Sequence, residues 1–105
     1  MGASWEGFVV ENLLSAAPDR TVASFYRTTA GAEIDLLLEI PGHGLWAIDI
    51  KRGLSTKPEK GFYIACEDLK PTRRIALNAG NERYPIAKNV ETIGLRATAS
   101  ELAAL

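Results

Sequence analysis

The sequence predicts an α/β (α+β) fold in which helices flank a mixed β-sheet. Two neighbouring apolar runs, residues 31–38 and 45–51, are joined by a turn-forming segment and predict a β-hairpin. A helical segment over residues 58–69 follows the hairpin, and a strand-like run over residues 73–78 comes next. Because a strand that returns after a helix usually joins the sheet in parallel, by a right-handed crossover, the sheet should be mixed.

Helical spacing places one helix before the hairpin. Apolar residues recur every three or four positions over residues 3–17, and Pro18 ends the pattern. These residues are Trp5, Phe8, Val9, Leu13 and Ala16. Residues 22–28 then predict a first strand, which ends at the Ala30-Gly31 turn. The order before the second helix is therefore one helix and three antiparallel strands.

The second helix is bounded by prolines. Pro58 opens it, with Ser55 or Thr56 as the N-cap, and Pro71 follows its end. Cys66 lies on the apolar face of this helix and is predicted to be inert packing. Since Cys66 is the single cysteine of the chain, the sequence excludes an intrachain disulfide and a zinc site built from cysteines.

The C-terminal part of the chain predicts one more strand and one more helix. A turn rich in Asn and Gly covers residues 78–81, and residues 90–95 predict a short last strand. Thr98 or Ser100 begins a terminal helix. No repeat or linker divides the chain, so residues 1–105 are predicted to form a single domain.

The register of the hairpin follows from keeping its apolar side chains on one face. Because side chains alternate along a strand, Leu36 is predicted to lie opposite Ile48, and Ile34 opposite Ile50. A four-residue loop over residues 41–44 would mix the two faces. We therefore expect a slightly longer loop or a bulge.

The same register places two buried acids side by side. Asp35 is predicted to lie opposite Asp49, and Lys51 to face Glu33. Like charges directly opposite each other repel, and burying an unpaired carboxylate costs on the order of several kcal/mol. A bound divalent cation would remove both penalties. The alternatives are a protonated aspartate and neutralisation of the cluster by Lys51, whose structural role would be a salt bridge to Glu33.

Bulk properties exclude some classes of function. The chain is 47% hydrophobic and 24% charged with a formal net charge of −1, so no global charge favours nucleic acid or a membrane surface. No apolar run approaches transmembrane length, and the first residues lack the pattern of a signal peptide. A cytoplasmic protein without membrane contact is expected.

Five segments, in their order along the chain, together resemble the DUF4143 domain, which lies at the C-terminus of many prokaryotic AAA+ ATPases. They are Trp5-Glu-Gly-Phe-Val-Val-Glu-Asn-Leu-Leu14, Phe25-Tyr-Arg-Thr28, Gly31-Ala-Glu-Ile-Asp35, Asp49-Ile-Lys51 and Glu67-Asp-Leu-Lys-Pro71. The resemblance implies a fragment of a larger ATPase, whose N-terminal AAA+ ATPase domain would be the partner of this one. Consistent with that, the sequence contains no Gly-x-x-x-x-Gly-Lys-Ser/Thr phosphate loop.

The order of elements and the positions of the acids also resemble the PD-(D/E)xK nuclease core of restriction endonucleases and archaeal Holliday-junction resolvases. This resemblance implies a restriction-endonuclease-like core of α-β-β-β-α-β order, with Mg²⁺ (or Mn²⁺) as cofactor. Asp35 and Asp49 would be the metal ligands, with the carbonyl of Ile50 as a third. Lys51 would orient or polarise the attacking water and stabilise the developing charge.

In that superfamily a glutamate on the first helix often completes the metal site. The segment Gly2-Ala-Ser-Trp-Glu6 matches a common Gly-x-x-x-Glu opening, so Glu6 is the first candidate for a catalytic or metal-binding role. Glu11 is the competing candidate, about 140° away around an ideal helix. The alternative for Glu6 is a solvated acid in the first turn, which the helix dipole favours.

The resemblance thus implies phosphodiester hydrolysis on DNA. The alternative is a non-catalytic DNA-binding, regulatory or assembly module with the same fold, and a third possibility is a purely structural acidic cluster. Geometry distinguishes them. Oxygens of Asp35 and Asp49 within reach of one ion and open to solvent would support a site, whereas a carboxylate held by backbone donors would argue against it.

A basic stretch follows the predicted site. Arg52, Lys57 and Lys60 are candidate phosphate contacts for nucleic acid, and the alternative is the solvated start of a helix. Trp5 and Trp46 are predicted to lie in the core rather than to stack on bases.

Overall fold

Three helices and six strands form the described part of the chain, which in this computed structural model covers residues 4–53, 56–87 and 89–105. In order they are α1 (Trp5–Ala16), β1 (Val22–Arg27), β2 (Glu33–Ile40), β3 (Gly44–Ile50), α2 (Lys60–Leu69), β4 (Arg73–Asn78), β5 (Tyr84–Ala87), β6 (Val90–Gly94) and α3 (Leu95–Ala103). The order contains the predicted helix, three strands, helix and strand.

The strands form one mixed sheet in the order β1-β2-β3-β4-β6-β5. β4 runs parallel to both β3 and β6, and the other neighbouring pairs are antiparallel. The mixed sheet and its flanking helices confirm the predicted fold class. Strand β5 was not predicted, and its Pro85 is a residue that argues against a strand interior. It is tolerated here because β5 is an edge strand, where a missing backbone donor leaves no sheet partner unsatisfied.

Each face of the sheet carries its own apolar core. One face packs against α1 and α3, and its buried members are Val9, Leu13, Leu36, Leu38, Ile40, Trp46, Ile48, Ile50, Ile75, Leu77, Ile93 and Leu102. The other face packs against α2, with Ala32, Ile34, Leu37, Ala47, Phe62, Ala65, Cys66 and Val90 buried. The predicted burial of Trp46 and Cys66 is confirmed. Two-sided burial explains why β2 and β3 read as nearly continuous apolar runs.

The hairpin of β2 and β3 has the predicted register near its turn but a shorter loop than expected. Leu36 lies opposite Ile48, and Ile40 lies opposite Gly44, so residues 41–43 alone form the loop. A proline followed by a glycine with φ of 79° makes the tight turn. Of the two expected alternatives, a longer loop and a bulge, the longer loop was wrong because Gly44, rather than the next residue, closes the ladder.

A bulge in β2 changes the register farther from the turn. One residue of β1, Phe25, lies opposite two residues of β2, Asp35 and Leu36. The extra residue interrupts the alternation, so Ile34 packs in the core beneath α2, whereas Ile50 packs on the opposite face. The predicted pairing of Ile34 with Ile50 was therefore wrong, and the described ladder between β2 and β3 ends at Leu36.

Helix α1 begins later than predicted. Ser4 is its N-cap, and the Ser4 Oγ accepts a hydrogen bond of 2.9 Å from the Gly7 N–H. The predicted first residue, Ala3, lies outside the described residues, as does Gly2 of the Gly-x-x-x-Glu opening. Phe8, assigned to the apolar stripe, is 50% exposed and stacks beside Trp5.

Helix α2 also begins later, at Lys60 rather than Pro58. Its N-cap position is held by Glu59 without a side-chain cap. Of the two predicted caps, Ser55 lies outside the described residues, and the Thr56 hydroxyl instead lies 2.9 Å from the Tyr84 hydroxyl.

Helix α3 begins earlier than predicted. It starts at Leu95, directly after β6, with Gly94 at the N-cap position. The hydroxyl of Thr98 is not a cap: it is buried and donates a 2.8 Å hydrogen bond to the Gly94 carbonyl within the helix. A threonine that bonds back to the carbonyl four residues earlier is compatible with a helix interior, which explains the missed first turn.

An ion-pair network joins β4, β6 and α3. Arg73 and Arg83 each pair with both Glu91 and Glu101, at 2.6 to 3.1 Å. Burial alone would raise the pKa of Glu101, but the hydrogen bonds and charges of the two arginines outweigh it and lower that pKa. Arg73 also lies over the Trp46 ring, 5.0 Å from its centroid.

Replacing Glu101 with glutamine is expected to lower the free energy of unfolding by about 1 kcal/mol at pH 7. Because the pKa of Glu101 is lowered by folding, its contribution is present above its ordinary value of 4.5 and disappears as the pH falls below it. Urea unfolding at pH 7 and pH 3 measures this. Glu11→Gln, at an exposed position of α1, is the control, and an equal effect of the two substitutions would contradict the prediction.

Candidate functional site

A groove of about 680 Å³ lies where β2 begins and β3 ends. Five carboxylates and three cationic side chains line it, together with four other residues. They are Glu6, Glu33, Asp35, Asp49, Glu59, Arg27, Lys51, Arg52, Gly31, Ile50, Gly61 and Phe62. The groove therefore brings together the predicted cluster of two aspartates and one lysine and places it on an open, acidic surface.

Asp49 lies at the bottom of this groove, 8% exposed, near the end of β3. Its Oδ2 atom is buried and has no hydrogen-bond partner among the described residues. Burial is the main cause that raises the pKa of this carboxyl from 3.8 to about 7, followed by the neighbouring carboxylate of Asp35. Lys51 acts in the opposite direction and is outweighed. Asp49 is thus a carboxylate whose charged form lacks sufficient compensation from the described residues.

Asp35 sits at the bulge of β2. Its Oδ2 accepts a 2.9 Å hydrogen bond from the backbone N–H of Ile50. The side chain therefore bonds to β3 at a point beyond the last described backbone pair of the two strands. A carboxylate held by a backbone donor was expected to argue against a metal site, so this contact counts against one and gives the Asp35 Oδ2 a structural role. The hydrogen bond to Ile50 involves only one of the two carboxylate oxygens, and Asp35 is only partly buried.

Lys51 is held close to Asp49 rather than to Glu33. Its Nζ lies 3.7 Å from the Asp49 Oδ2, and its side chain is 13% exposed. The salt bridge to Glu33 that was the structural alternative for Lys51 is replaced by a pair between Glu33 and Arg27 at 3.3 Å.

The backbone of Lys51 is fixed by a neighbouring strand and by a helix. The Lys51 N–H donates to the Leu77 carbonyl at 2.9 Å, and the Lys51 carbonyl accepts a 2.8 Å hydrogen bond from the Trp5 indole. These contacts come from β4 and α1. They hold the end of β3 in place where its side chains enter the groove.

Of the two glutamates on α1, only Glu6 reaches the groove. It forms an ion pair with Arg52 at 3.6 Å, with 40% of its side chain exposed. Glu11 is exposed and does not line the groove, but lines an adjoining hollow that shares Glu6 and Arg52 with it. Within residues 4–53, 56–87 and 89–105, no group of three or more Asp, Glu, His or Cys side chains is close enough to hold a metal ion. Asp35 and Asp49 lie near enough to each other for Asp35 to raise the pKa of Asp49.

Of the three basic candidates for nucleic-acid contact, Arg52 lines the groove. Lys57 and Lys60 are exposed beside the start of α2 and do not line it. Arg27, whose orientation the sequence left open, and Phe25, which the sequence did not single out, lie at the same end of the sheet. Arg27 lines the groove, and its guanidinium lies over the ring of Phe25 at 5.5 Å from the centroid.

Comparison with known proteins places the chain in a family. The family described as "Domain of unknown function (DUF4143)" matches residues 1–98. The chain belongs to the DUF4143 family. The match confirms the resemblance read from the five sequence segments, which all lie within the matched range.

Curated relatives of this DUF4143 domain are much longer than the chain. Two proteins described as uncharacterized, one from Mycobacterium bovis and one from Mycobacterium tuberculosis, are each 31% identical over 93 residues. The match covers 89% of this chain and 21% of each relative, so the chain spans about a fifth of their length. No solved structure matches the chain. Among the described helices, none is long and apolar enough to cross a membrane.

Proposed function

We propose that this DUF4143 domain is a metal-dependent nuclease-like domain that hydrolyses phosphodiester bonds in DNA. The observation that carries the proposal is the buried Oδ2 of Asp49, which has no hydrogen-bond partner among the described residues. It lies beside a second carboxylate, Asp35, and a lysine, Lys51, in an open groove. This is the acid, acid and lysine set expected from the PD-(D/E)xK resemblance.

The donor set suits Mg²⁺ or Mn²⁺. Hard divalent cations bind carboxylate and carbonyl oxygens and retain several waters, so two protein carboxylates are enough to anchor Mg²⁺ beside a phosphate. Burial, then a side-chain hydrogen bond with Asp35 and the charge of Asp35, raise the pKa of Asp49, which means that the ionised pair is short of positive charge. A bound dication would remove that deficit. Asp35, Asp49 and the carbonyl of Ile50 would hold it, with Glu6 at the border of the groove.

When bound, Mg²⁺ supplies a Lewis acid that neutralises charge on the attacked phosphate. The other contributions come from the chain. Lys51 donates from its Nζ to a phosphate oxygen or to the attacking water, and stabilises the charge that develops there. Glu6 accepts a hydrogen bond from that water and orients it. The indole of Trp5 holds the Lys51 backbone, so the ammonium stays directed at Asp49 and the groove.

In this proposal the domain is the C-terminal part of a longer chain with an N-terminal AAA+ ATPase domain. The support is the family match together with the length of the mycobacterial relatives, of which the chain spans 21%. The ATPase would act on the same DNA, and the nuclease-like domain would cleave beside it.

A second candidate is a non-catalytic DNA-binding, regulatory or assembly module of that ATPase. The observation in its favour is the hydrogen bond between the Ile50 N–H and the Asp35 Oδ2, which gives one carboxylate oxygen a structural task. The pairing of Glu6 with Arg52 has the same effect on the third acid. In this alternative the groove binds no metal.

Metal titration followed by amide NMR separates the two candidates. Mn²⁺ is expected to broaden the resonances of Asp35, Asp49 and Lys51 first, with saturation below about millimolar metal. Asp35→Asn and Asp49→Asn should each weaken binding at least about tenfold. Glu33→Gln, in the same groove but paired with Arg27, is the matched control. No saturable response at millimolar Mg²⁺ or Mn²⁺ would exclude the catalytic proposal for this domain.

Cleavage of DNA tests the roles of the remaining residues. Lys51→Ala should lower the rate about 100-fold or more while metal affinity stays within a few-fold of the wild type. Glu6→Gln should slow cleavage, whereas Glu11→Gln should not, because only Glu6 lines the groove. Equal rates for Glu6→Gln and Glu11→Gln would contradict the role given to Glu6.

A further inference from the structure

We propose that Phe25 is a base-stacking platform, and that the groove takes single-stranded DNA across the β1 edge of the sheet. The inference rests on the proposed function, since it names the form of DNA for the same groove. It begins with an exposed aromatic ring. Phe25 is 67% exposed on the outermost strand, although aromatic side chains of this size are usually buried in a domain core.

Arg27 connects this ring to the groove. The two residues are two positions apart on β1, and the Arg27 guanidinium lies over the Phe25 ring at 5.5 Å. Arg27 also lines the groove that holds Asp35 and Asp49. An exposed ring with a guanidinium beside it is the combination that binds single strands, because the ring stacks on a base and the cation contacts the backbone.

The arginines that border the groove can exchange partners for phosphates. Arg27 and Glu33 are 64% and 50% exposed and 3.3 Å apart, and Arg52 and Glu6 are 77% and 40% exposed and 3.6 Å apart. Exposed ion pairs of this kind contribute little, so replacing a carboxylate by a phosphate oxygen costs little. Both guanidiniums are therefore available to phosphates of a strand that runs through the groove.

The requirement for a single strand follows from the geometry of stacking. A base can stack on Phe25 only if it is released from its own partner and neighbours, and duplex DNA does not release its bases without a cost. The guanidiniums of Arg27 and Arg52 can contact phosphates and so favour a nucleic-acid strand over an apolar protein segment, although carboxylates outnumber cations in the groove as a whole. A second protein chain on the β1 edge is the competing occupant and would also cover Val22, which is 56% exposed on the same strand.

Fluorescence anisotropy with a labelled 12-nucleotide oligothymidylate and a 12-base-pair duplex tests the inference. Ca²⁺ replaces Mg²⁺, and each titration is repeated in EDTA at low salt. Phe25→Ala should weaken binding of the single strand about tenfold and leave duplex binding unchanged. Phe25→Tyr keeps an aromatic face and should bind as the wild type does. Val22→Ala is the matched control from the same exposed edge and should bind normally.

The outcomes separate this inference from the proposed function. Normal binding by Phe25→Ala, with an intact Mn²⁺ response at Asp49, would overturn the stacking platform and leave the metal site standing. Binding that depends on Phe25 in EDTA, with no Mn²⁺ response, would support the platform and overturn the metal site. Equal losses in Val22→Ala and Phe25→Ala, with a change in sedimentation, would assign the edge to a protein contact and overturn the inference.

Discussion

Replacing Asp49 with asparagine is expected to stabilise the metal-free domain by about 2 kcal/mol at pH 8, although it removes a residue of the candidate site. The carboxyl of Asp49 has its pKa raised to about 7 by burial and by Asp35. In the folded state it therefore holds a proton between pH 4 and pH 7 that the unfolded chain has already lost. Folding stability should fall as the pH rises through this window and then level off above pH 7.

An asparagine at this position avoids the ionisation. It carries no charge at any pH, and its amide can donate a hydrogen bond to Asp35, which a second carboxylate cannot do when ionised. The stabilisation should accordingly be absent near pH 4, where Asp49 is protonated in the folded wild type, and complete by pH 8. Burying the amide has its own cost, which keeps the gain below the full value that the pKa shift corresponds to.

Chemical denaturation of the wild type and Asp49→Asn across pH 4 to 8 measures this difference. Asp19→Asn, at an exposed turn position, removes the same charge without the burial and should follow the wild type. Saturating Mg²⁺ should restore the lost stability of the wild type at pH 8 but not change the variant, because only the native site binds the ion. A wild-type stability that rises between pH 4 and pH 7 relative to the variant would contradict a raised pKa of Asp49 in the folded state.

The second large effect is expected from Gly61→Ala, which should lower the free energy of unfolding by about 3 kcal/mol. Gly61 is the second residue of α2, and a Cβ there would meet the backbone carbonyl oxygen of Gly31 at less than contact distance. Gly31 has a φ of 98°, which a residue with a side chain rarely adopts. The backbone of this loop is therefore held in a special conformation and cannot easily move away from the new Cβ. The helix must therefore move away from the sheet.

A matched substitution in α1 isolates the clash from helix propensity. Gly7→Ala also replaces a glycine in a first helical turn, but its Cβ would approach only the Ser4 Oγ, at 3.1 Å. Propensity alone favours alanine by about 1 kcal/mol at both positions, so Gly7→Ala should be neutral or slightly stabilising. Thermal and urea unfolding of the two variants give the comparison. Equal stabilities would show that α2 does not pack tightly on the loop before β2.

The candidate cluster could be predicted because its members lie on two adjacent strands. The sequence separation of Asp35 and Asp49, with a turn between them, is enough to place them on facing segments. The parallel return of β4 was also predictable, because a helix lies between it and β3. The alternation of side chains along β2 could not predict the bulge opposite Phe25, because nothing in the apolar pattern of β2 marks an extra residue.

The bulge decides the detailed chemistry of the site. It sends Ile34 to the α2 face and lets the Asp35 carboxylate bond to the Ile50 N–H. The Asp49 Oδ2 has no hydrogen-bond partner among the described residues. The ion pairs at the groove also depend on contacts between strands. Lys51 pairs with Asp49 rather than Glu33 because Arg27, from a third strand, takes Glu33.

The sequence by itself therefore determined the order of the main elements, the mixed sheet and the two aspartates and lysine that meet in it. These depend on local periodicity and on neighbours along the chain, which the sequence contains directly. Only the tertiary structure decided which oxygens are bonded, which glutamate of α1 reaches the groove and that Phe25 is exposed. Those features depend on the packing of β1 and α1 against β2 and β3, where segments distant in the chain compete for the same partners.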